Sequence, residues 1–184
     1  NSVANGKVKI RSPFEKIYVQ AAAGDAGGAI GAAMTIWNKL SGNRPKPMLH
    51  AYLGPKFLID DVSSILESNK HFFEEEGCSI NLLEDEQLYK QTAKNVAEGK
   101  VVGWFQGRME WGPRALGNRS ILGDPRRSDM KDILNLKIKR RESFRPFAPS
   151  ILRESVADWF EQDDDVPFMM KVFQIKEEQR LKIP

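Results

Sequence analysis

The spacing of apolar positions changes several times along the chain, and each change predicts an element. Ile17-Tyr18-Val19 reads as a short strand that passes through Ala21 to Gly28 into a small-residue helix ending near Leu40. Ser41-Gly42-Asn43-Arg44-Pro45-Lys46-Pro47 then breaks the pattern, because neither proline nor the residue before it favours helix. Beyond that break, Asp60 or Asp61 caps a helix carrying Val62, Ile65, Leu66, Phe72 and Phe73, which Gly77 closes in the left-handed conformation. A second helix opens near Glu84 and Asp85, shows Leu88, Ala93, Val96 and Ala97 on one face, and ends at Gly99. Val101-Val102-Gly103-Trp104-Phe105 is a continuous apolar run, as expected of a strand buried on both faces. Helix, glycine turn and buried strand predict an α/β layer. Gly107, Gly112, Gly117 and Gly123 with Pro113 and Pro125 predict a long ordered loop region. Asp129 then opens a helix with Met130, Ile133, Leu134 and Ile138 toward the core, and Ser150-Ile151-Leu152 reads as a strand.

Composition narrows the class. With 184 residues, 41% hydrophobic and 29% charged, the chain has the make-up of a water-soluble globular protein of one or two domains. Cys78 is the single cysteine, so no disulfide can form within the chain, and a reducing, cytoplasmic setting is expected. No apolar run approaches the roughly 20 residues that span a bilayer, so no membrane is expected as a partner. The chain starts without Met, and both ends read as cuts through a longer protein.

The net charge of +3 is modest, but its distribution is not. Arginines and lysines outnumber acidic residues between Gly107 and Arg153, whereas Asp158 to Asp165 is acidic. The stretch from Gln106 to Ser120 sets Arg108, Arg114, Arg119 and Asn118 among glycines just beyond the carboxyl end of the predicted buried strand, where open α/β sheets bind ligands. Arginine's planar fork suits phosphate or carboxylate, and glycine lets backbone N–H groups approach the same anion. Arg145, in Phe144-Arg145-Pro146-Phe147, has a restricted direction, and the helix from Asp129 offers Lys137 or Lys139. Charge pattern alone leaves open a row of surface ion pairs, a phosphate site and a nucleotide- or RNA-binding module without catalysis. Trp104, Phe105, Met109 and Trp111 read as core rather than as base-stacking platforms, and Lys137, Arg140 and Arg141 as solvated helix charges. The stretch matches neither the phosphate-loop signature nor the dinucleotide fingerprint.

The run Gln106 to Arg126, followed by Arg141-Glu142-Ser143-Phe144-Arg145-Pro146-Phe147-Ala148-Pro149, closely resembles the signature of nodulation-type and antibiotic-type O-carbamoyltransferases. Ala22 to Ala29 and Asn1 to Gly6 resemble the same family upstream. The resemblance implies an α/β fold. Residues 1–42 would be the final strand-helix piece of a sugar-kinase-like transfer domain, 43–58 a linker, and 59–184 a YrdC-like domain with a twisted mixed sheet and helices, cut short at its end. It implies formation of carbamoyl adenylate from carbamoyl phosphate and ATP with Mg²⁺, then transfer of the carbamoyl group to a hydroxylated small-molecule acceptor. Nucleic acid is not the expected partner.

By the same resemblance, Arg114, Lys139 and Arg145 fall on positions that hold carbamoyl phosphate and nucleotide phosphates. Arg108, Asn118, Arg119 and Ser120 lie in the same signature as nucleotide-binding positions. Asp25, whose reading from the residues alone is a helix cap, falls on a carboxylate that helps hold a divalent metal, with iron as the expectation and paired histidines supplied from earlier in the complete protein. His50 and His71 read as surface or packing residues. The chain alone is expected to be catalytically silent yet partly able to bind ligand, and the acceptor is not legible.

Overall fold

The computed structural model describes residues 1–183, with the side chain of Asp25 left aside. Its fold is mixed α/β. Helix α1 (Ser2–Arg11) is capped by Asn1, whose side chain accepts from the N–H groups of Val3 and Ala4 at 3.1 and 3.2 Å. Helix α2 (Asp25–Ser41) ends where expected, on Gly42 at φ 69°. The predicted strand at Ile17–Val19 is not formed. No neighbouring strand among the described residues offers its backbone partners, and unpaired extended chain is not sheet.

The predicted helix after Asp60 is two helices, α3 (Ile59–Ser68) and α4 (Lys70–Glu75), interrupted at Asn69. Asp61 caps the first by accepting from the Leu58 N–H at 2.8 Å, and Gly77 closes the second at φ 64°. Helix α5 (Asp85–Ala97) ends just before Gly99 at φ 82°, and strand β1 (Val102–Phe105) follows.

Strand β1 is not buried on both faces. It pairs antiparallel with β2 (Arg119–Leu122), Val102 opposite Leu122 and Phe105 opposite Arg119, and its residues alternate half-buried and exposed. Only one face receives a helix, where Tyr89 of α5 meets Trp104 with ring centroids 6.2 Å apart; Phe105, on the other face, is exposed rather than core. The sheet among the described residues is therefore this two-stranded hairpin and not the larger mixed sheet expected. Strand β2 lies where the glycines predicted loop alone. The residues from 51 to 56 run antiparallel to the first residues of the hairpin's long loop: Ala51 accepts from Trp111 N–H at 2.6 Å, Met109 accepts from Gly54 N–H and Pro55 from Met109 N–H, each at 2.9 Å.

Helix α6 (Met130–Asp132) continues as a single wide π-type turn, Ile133–Ile138, in which Lys139 N–H reaches back five residues to Leu134. Met130 and Leu134 pack beneath the end of β2, so close that a methyl on Gly123 would lie 2.7 Å from Met130 Sδ. Ile138, predicted in the core, is 46% exposed, because the widened turn rotates it out of register. Ser150–Leu152 carries no strand, since no sheet edge among the described residues lies beside it. A second core cluster joins distant segments: Ala21, Ala51 and Phe168 are buried together, with Met48, Trp111, Leu116 and Met170 packed around them.

Leu134, 5% exposed, and Ile138 make a matched pair for testing this packing. Leu134→Ala should cost about 3 kcal/mol and Ile138→Ala under about 1 kcal/mol, read from urea-denaturation midpoints.

Candidate functional site

The arginine-rich segment is ordered from inside by buried polar side chains. Between β1 and β2 the chain makes a long loop, and at its foot lies Glu110, whose side chain is 0% exposed. A buried carboxylate must find donors. One of its oxygens accepts from the N–H groups of Leu116 at 2.7 Å and Asn118 at 2.8 Å. Its other oxygen takes Arg119 Nε at 2.9 Å, while Arg119 Nη2 binds the Glu110 carbonyl at 3.0 Å. Burial pushes the Glu110 carboxyl up, but Arg119 and the backbone N–H groups of Leu116 and Asn118 outweigh it, and the group is held at about 2. The carboxylate thus staples both ends of the loop that carries Arg114 at its tip. Gly112 at φ 100° and Gly117 at φ 115° make the turns into and out of that tip, a conformation that side-chain-bearing residues rarely adopt.

Other members of the set serve the loop's own architecture. Asn118 donates its amide to the Arg108 carbonyl at 2.6 Å, and Ser120 Oγ accepts from Gly117 N–H at 3.2 Å. Arg108 gives Nε to the Gly54 carbonyl at 3.1 Å and keeps the outer end of its fork. Arg114 is exposed, and among the described residues no carboxylate pairs with it.

A second cluster forms after the π-type turn. Asn135 is completely buried and donates to the carbonyls of Ser143 at 3.2 Å and Arg145 at 2.9 Å, while its oxygen accepts from Arg141 Nε at 2.7 Å. The guanidinium of Arg141 also lies over Phe147, 4.8 Å from the ring centroid. This clamp drives Arg140 into the left-handed region at φ 48° and turns Lys139 and Arg140 outward, with no carboxylate on either among the described residues. Arg141, expected as a solvated helix charge, is instead half-buried and fixed. Arg145 bonds Glu142 at 2.9 Å, an exposed pair that solvent weakens. A third buried group, Asp124, takes Arg126 through both oxygens, Nε to Oδ1 at 2.9 Å and Nη2 to Oδ2 at 2.7 Å.

The hydrogen bonds therefore unite Arg108, Asn118, Arg119 and Ser120 in the loop below Arg114 and bring the Arg145 carbonyl to Asn135, whereas Lys139 joins neither network, its backbone N–H going to Leu134. Sequence reasoning missed Glu110 and Asn135. The available signal was one acidic and one amide residue embedded in a basic, apolar stretch, where burial would oblige each to bind arginine. Among the described residues no group of three or more His, Cys, Asp or Glu side chains is placed to hold a metal ion, and the side chain of Asp25, on which the resemblance places a metal ligand, lies outside the described residues.

Ionised Glu110 stabilises the fold fully above its ordinary value of 4.5, and that contribution drains away as the pH falls toward 2. Glu110→Gln should cost about 3 kcal/mol at neutral pH, leaving Arg119 part-buried without its counter-charge. The gap from wild type should close as pH drops from 4.5 to 2, in denaturation curves taken across that range. Asp124 titrates in the same window in both proteins, so the difference between them isolates Glu110.

Comparison with known proteins identifies the architecture's relatives. Residues 93–184 match the family model for the carbamoyltransferase C-terminus, and residues 1–34 match that for the carbamoyltransferase N-terminus. An uncharacterised protein of Synechocystis sp. is 47% identical over the whole chain, which covers 30% of that protein. The nodulation protein NolO of Bradyrhizobium diazoefficiens is 41% identical over 96% of the chain and 32% of its own length. The 3'-hydroxymethylcephem-O-carbamoyltransferase of Streptomyces clavuligerus is 32% identical over 90% of the chain and 29% of its own length. The chain thus spans about 30% of the length of the curated relatives it matches. With both family models in their proper order and the arginine loop and Asn135 clamp inside the C-terminal one, this chain belongs to the carbamoyltransferase family.

Proposed function

We propose that the complete protein is an O-carbamoyltransferase whose arginine loop and Asn135 clamp hold carbamoyl phosphate and ATP while carbamoyl adenylate forms. The observation that carries this reading is Arg114: an exposed cation at the tip of a loop stapled by a buried carboxylate, with no carboxylate partner of its own among the described residues. Residues 59–184 then belong to a YrdC-like unit, and residues 1–42 to the transfer domain.

The chemistry suits the residues. Carbamoyl phosphate yields its phosphate to water, the freed carbamate oxygen bonds the α-phosphorus of ATP, and pyrophosphate leaves. An acceptor hydroxyl then attacks the carbamoyl carbon, AMP departs, and the hydroxyl proton passes to solvent. In the first half two anions must be brought together, so fixed positive charge is the principal need and no side-chain nucleophile is required. Mg²⁺ enters with the ATP substrate. Arg114, Lys139 and Arg145 supply charge to the phosphates, with the last exchanging Glu142 for phosphate. The outer nitrogens of Arg108 and the remaining nitrogen of Arg119 face the nucleotide, whereas Asn118 and Ser120 act by shaping the loop. Rigid presentation matters, since a cation held in place loses little freedom when the anion arrives.

In the full-length enzyme, Arg114→Ala and Lys139→Ala should each lower carbamoyl-phosphate-dependent ATP–pyrophosphate exchange by about 100-fold or more. Arg127→Ala, which removes an exposed cation already paired with Asp129 at 2.7 Å, should leave exchange near the wild-type rate. Undiminished exchange in the first two variants would remove both residues from the site and refute the reading.

A further inference from the structure

The two stretches that match the separate family models touch each other at the arginine loop. Ala21 lies buried in one cluster with Trp111 and Leu116 packed against it, and these two residues flank the tip that carries Arg114. Next to it, Ala22 meets Gly112 so closely that a methyl on Gly112 would lie 2.9 Å from Ala22 Cβ. Both residues have left-handed backbones, at φ 49° and 100°. The Ala22 carbonyl accepts from Gly24 N–H at 2.6 Å and from Gly27 N–H at 2.9 Å, so this one residue also closes the first turn of α2. Helix α1 holds the two stretches together elsewhere: Lys9 pairs with Asp164 at 2.6 Å, Asn5 donates to the Met170 carbonyl at 2.8 Å, and Gln162 to the Gly6 carbonyl at 3.1 Å.

We propose that Ala22 is a positioning residue whose contact with Gly112 ties ligand occupancy of the arginine loop to the geometry of the turn that opens α2, coupling adenylate formation to carbamoyl transfer. The inference rests on the anion-site reading above. The physical reason is steric. The loop's foot is pinned by Glu110 and its shoulder abuts Ala22, so a loop drawn in by bound phosphate presses on a neighbour that α1 and the shared core prevent from sliding away. The affected turn leads into Asp25, the first residue of α2.

Hydrogen exchange on the full-length enzyme tests this, with carbamoyl phosphate and a non-hydrolysable ATP analogue as the added probes. Wild-type amides from 112 to 119 and those from 22 to 28 should both slow, the latter by about tenfold. Ala22→Gly, which suits the left-handed backbone and removes the touching methyl, should fold with an unchanged melting temperature. It should keep protection at 112 to 119 and lose it at 22 to 28, with carbamoyl transfer reduced about tenfold and ATP–pyrophosphate exchange unaltered. Protection confined to 112 to 119 in the wild type would overturn the coupling and leave the anion site standing. Absence of protection at 112 to 119 would overturn the anion site and the coupling together.

Discussion

A carboxylate with no access to water sets the terms for the rest of this structure. Glu110 can remain ionised inside the chain only if donors surround it, and the nearest supply is the backbone of the loop that follows and the guanidinium beyond it. Satisfying that one group closes the loop at its foot, aligns Arg119 at the start of β2, and leaves Arg114 projecting from the tip. The same device recurs twice. The buried polar residues among those described are Glu110, Asp124 and Asn135, and each grips an arginine: Arg119, Arg126 and Arg141. A basic segment is thereby divided into cations that hold structure and cations, Arg114, Lys139 and Arg140 among them, that no carboxylate of the described residues pairs.

This polar skeleton substitutes for an apolar one. Ala21, Ala51, Met130, Leu134 and Phe168 are the fully buried hydrophobic residues among those described, a small core for a chain of this length. Two of the five secure α6 against β2, and the other three fasten residues 21 and 51 to Phe168, with Trp111 and Leu116 of the arginine loop packed against them. Packing, like the hydrogen bonding, is concentrated where it positions the basic residues. The π-type turn fits the same logic: its extra residue per turn moves Ile138 off the core and aims the chain so that Asn135 can reach the carbonyls of Ser143 and Arg145.

Much of this organisation was legible in the linear pattern, for reasons local to the chain. Left-handed glycines at 42, 77 and 99 end or follow helices because the conformation costs glycine little. Asp61 caps α3 because its oxygen reaches a backbone N–H three residues away. The family was legible too, since a long signature preserves residue identities whatever the fold does with them. The concentration of arginines among glycines marked the right segment, although it could not separate the structural arginines from the free ones.

What only the tertiary structure decided depends on partners far away in the chain. Whether Val102 to Phe105 is covered on one face or two rests on what packs over it, and here a helix covers one side alone. Ile17–Val19 and Ser150–Leu152 have strand-like residues but no paired neighbour among the described residues, and strands, unlike helices, cannot satisfy their backbones by themselves. The roles of Glu110 and Asn135 follow from complete burial, which no local pattern specifies. By itself the sequence determined the family, several helix ends and the place where positive charge gathers, because those rest on residue identity and short-range bonding. The fold decided which charges are spent and which are offered, because that depends on which side chains lose contact with water.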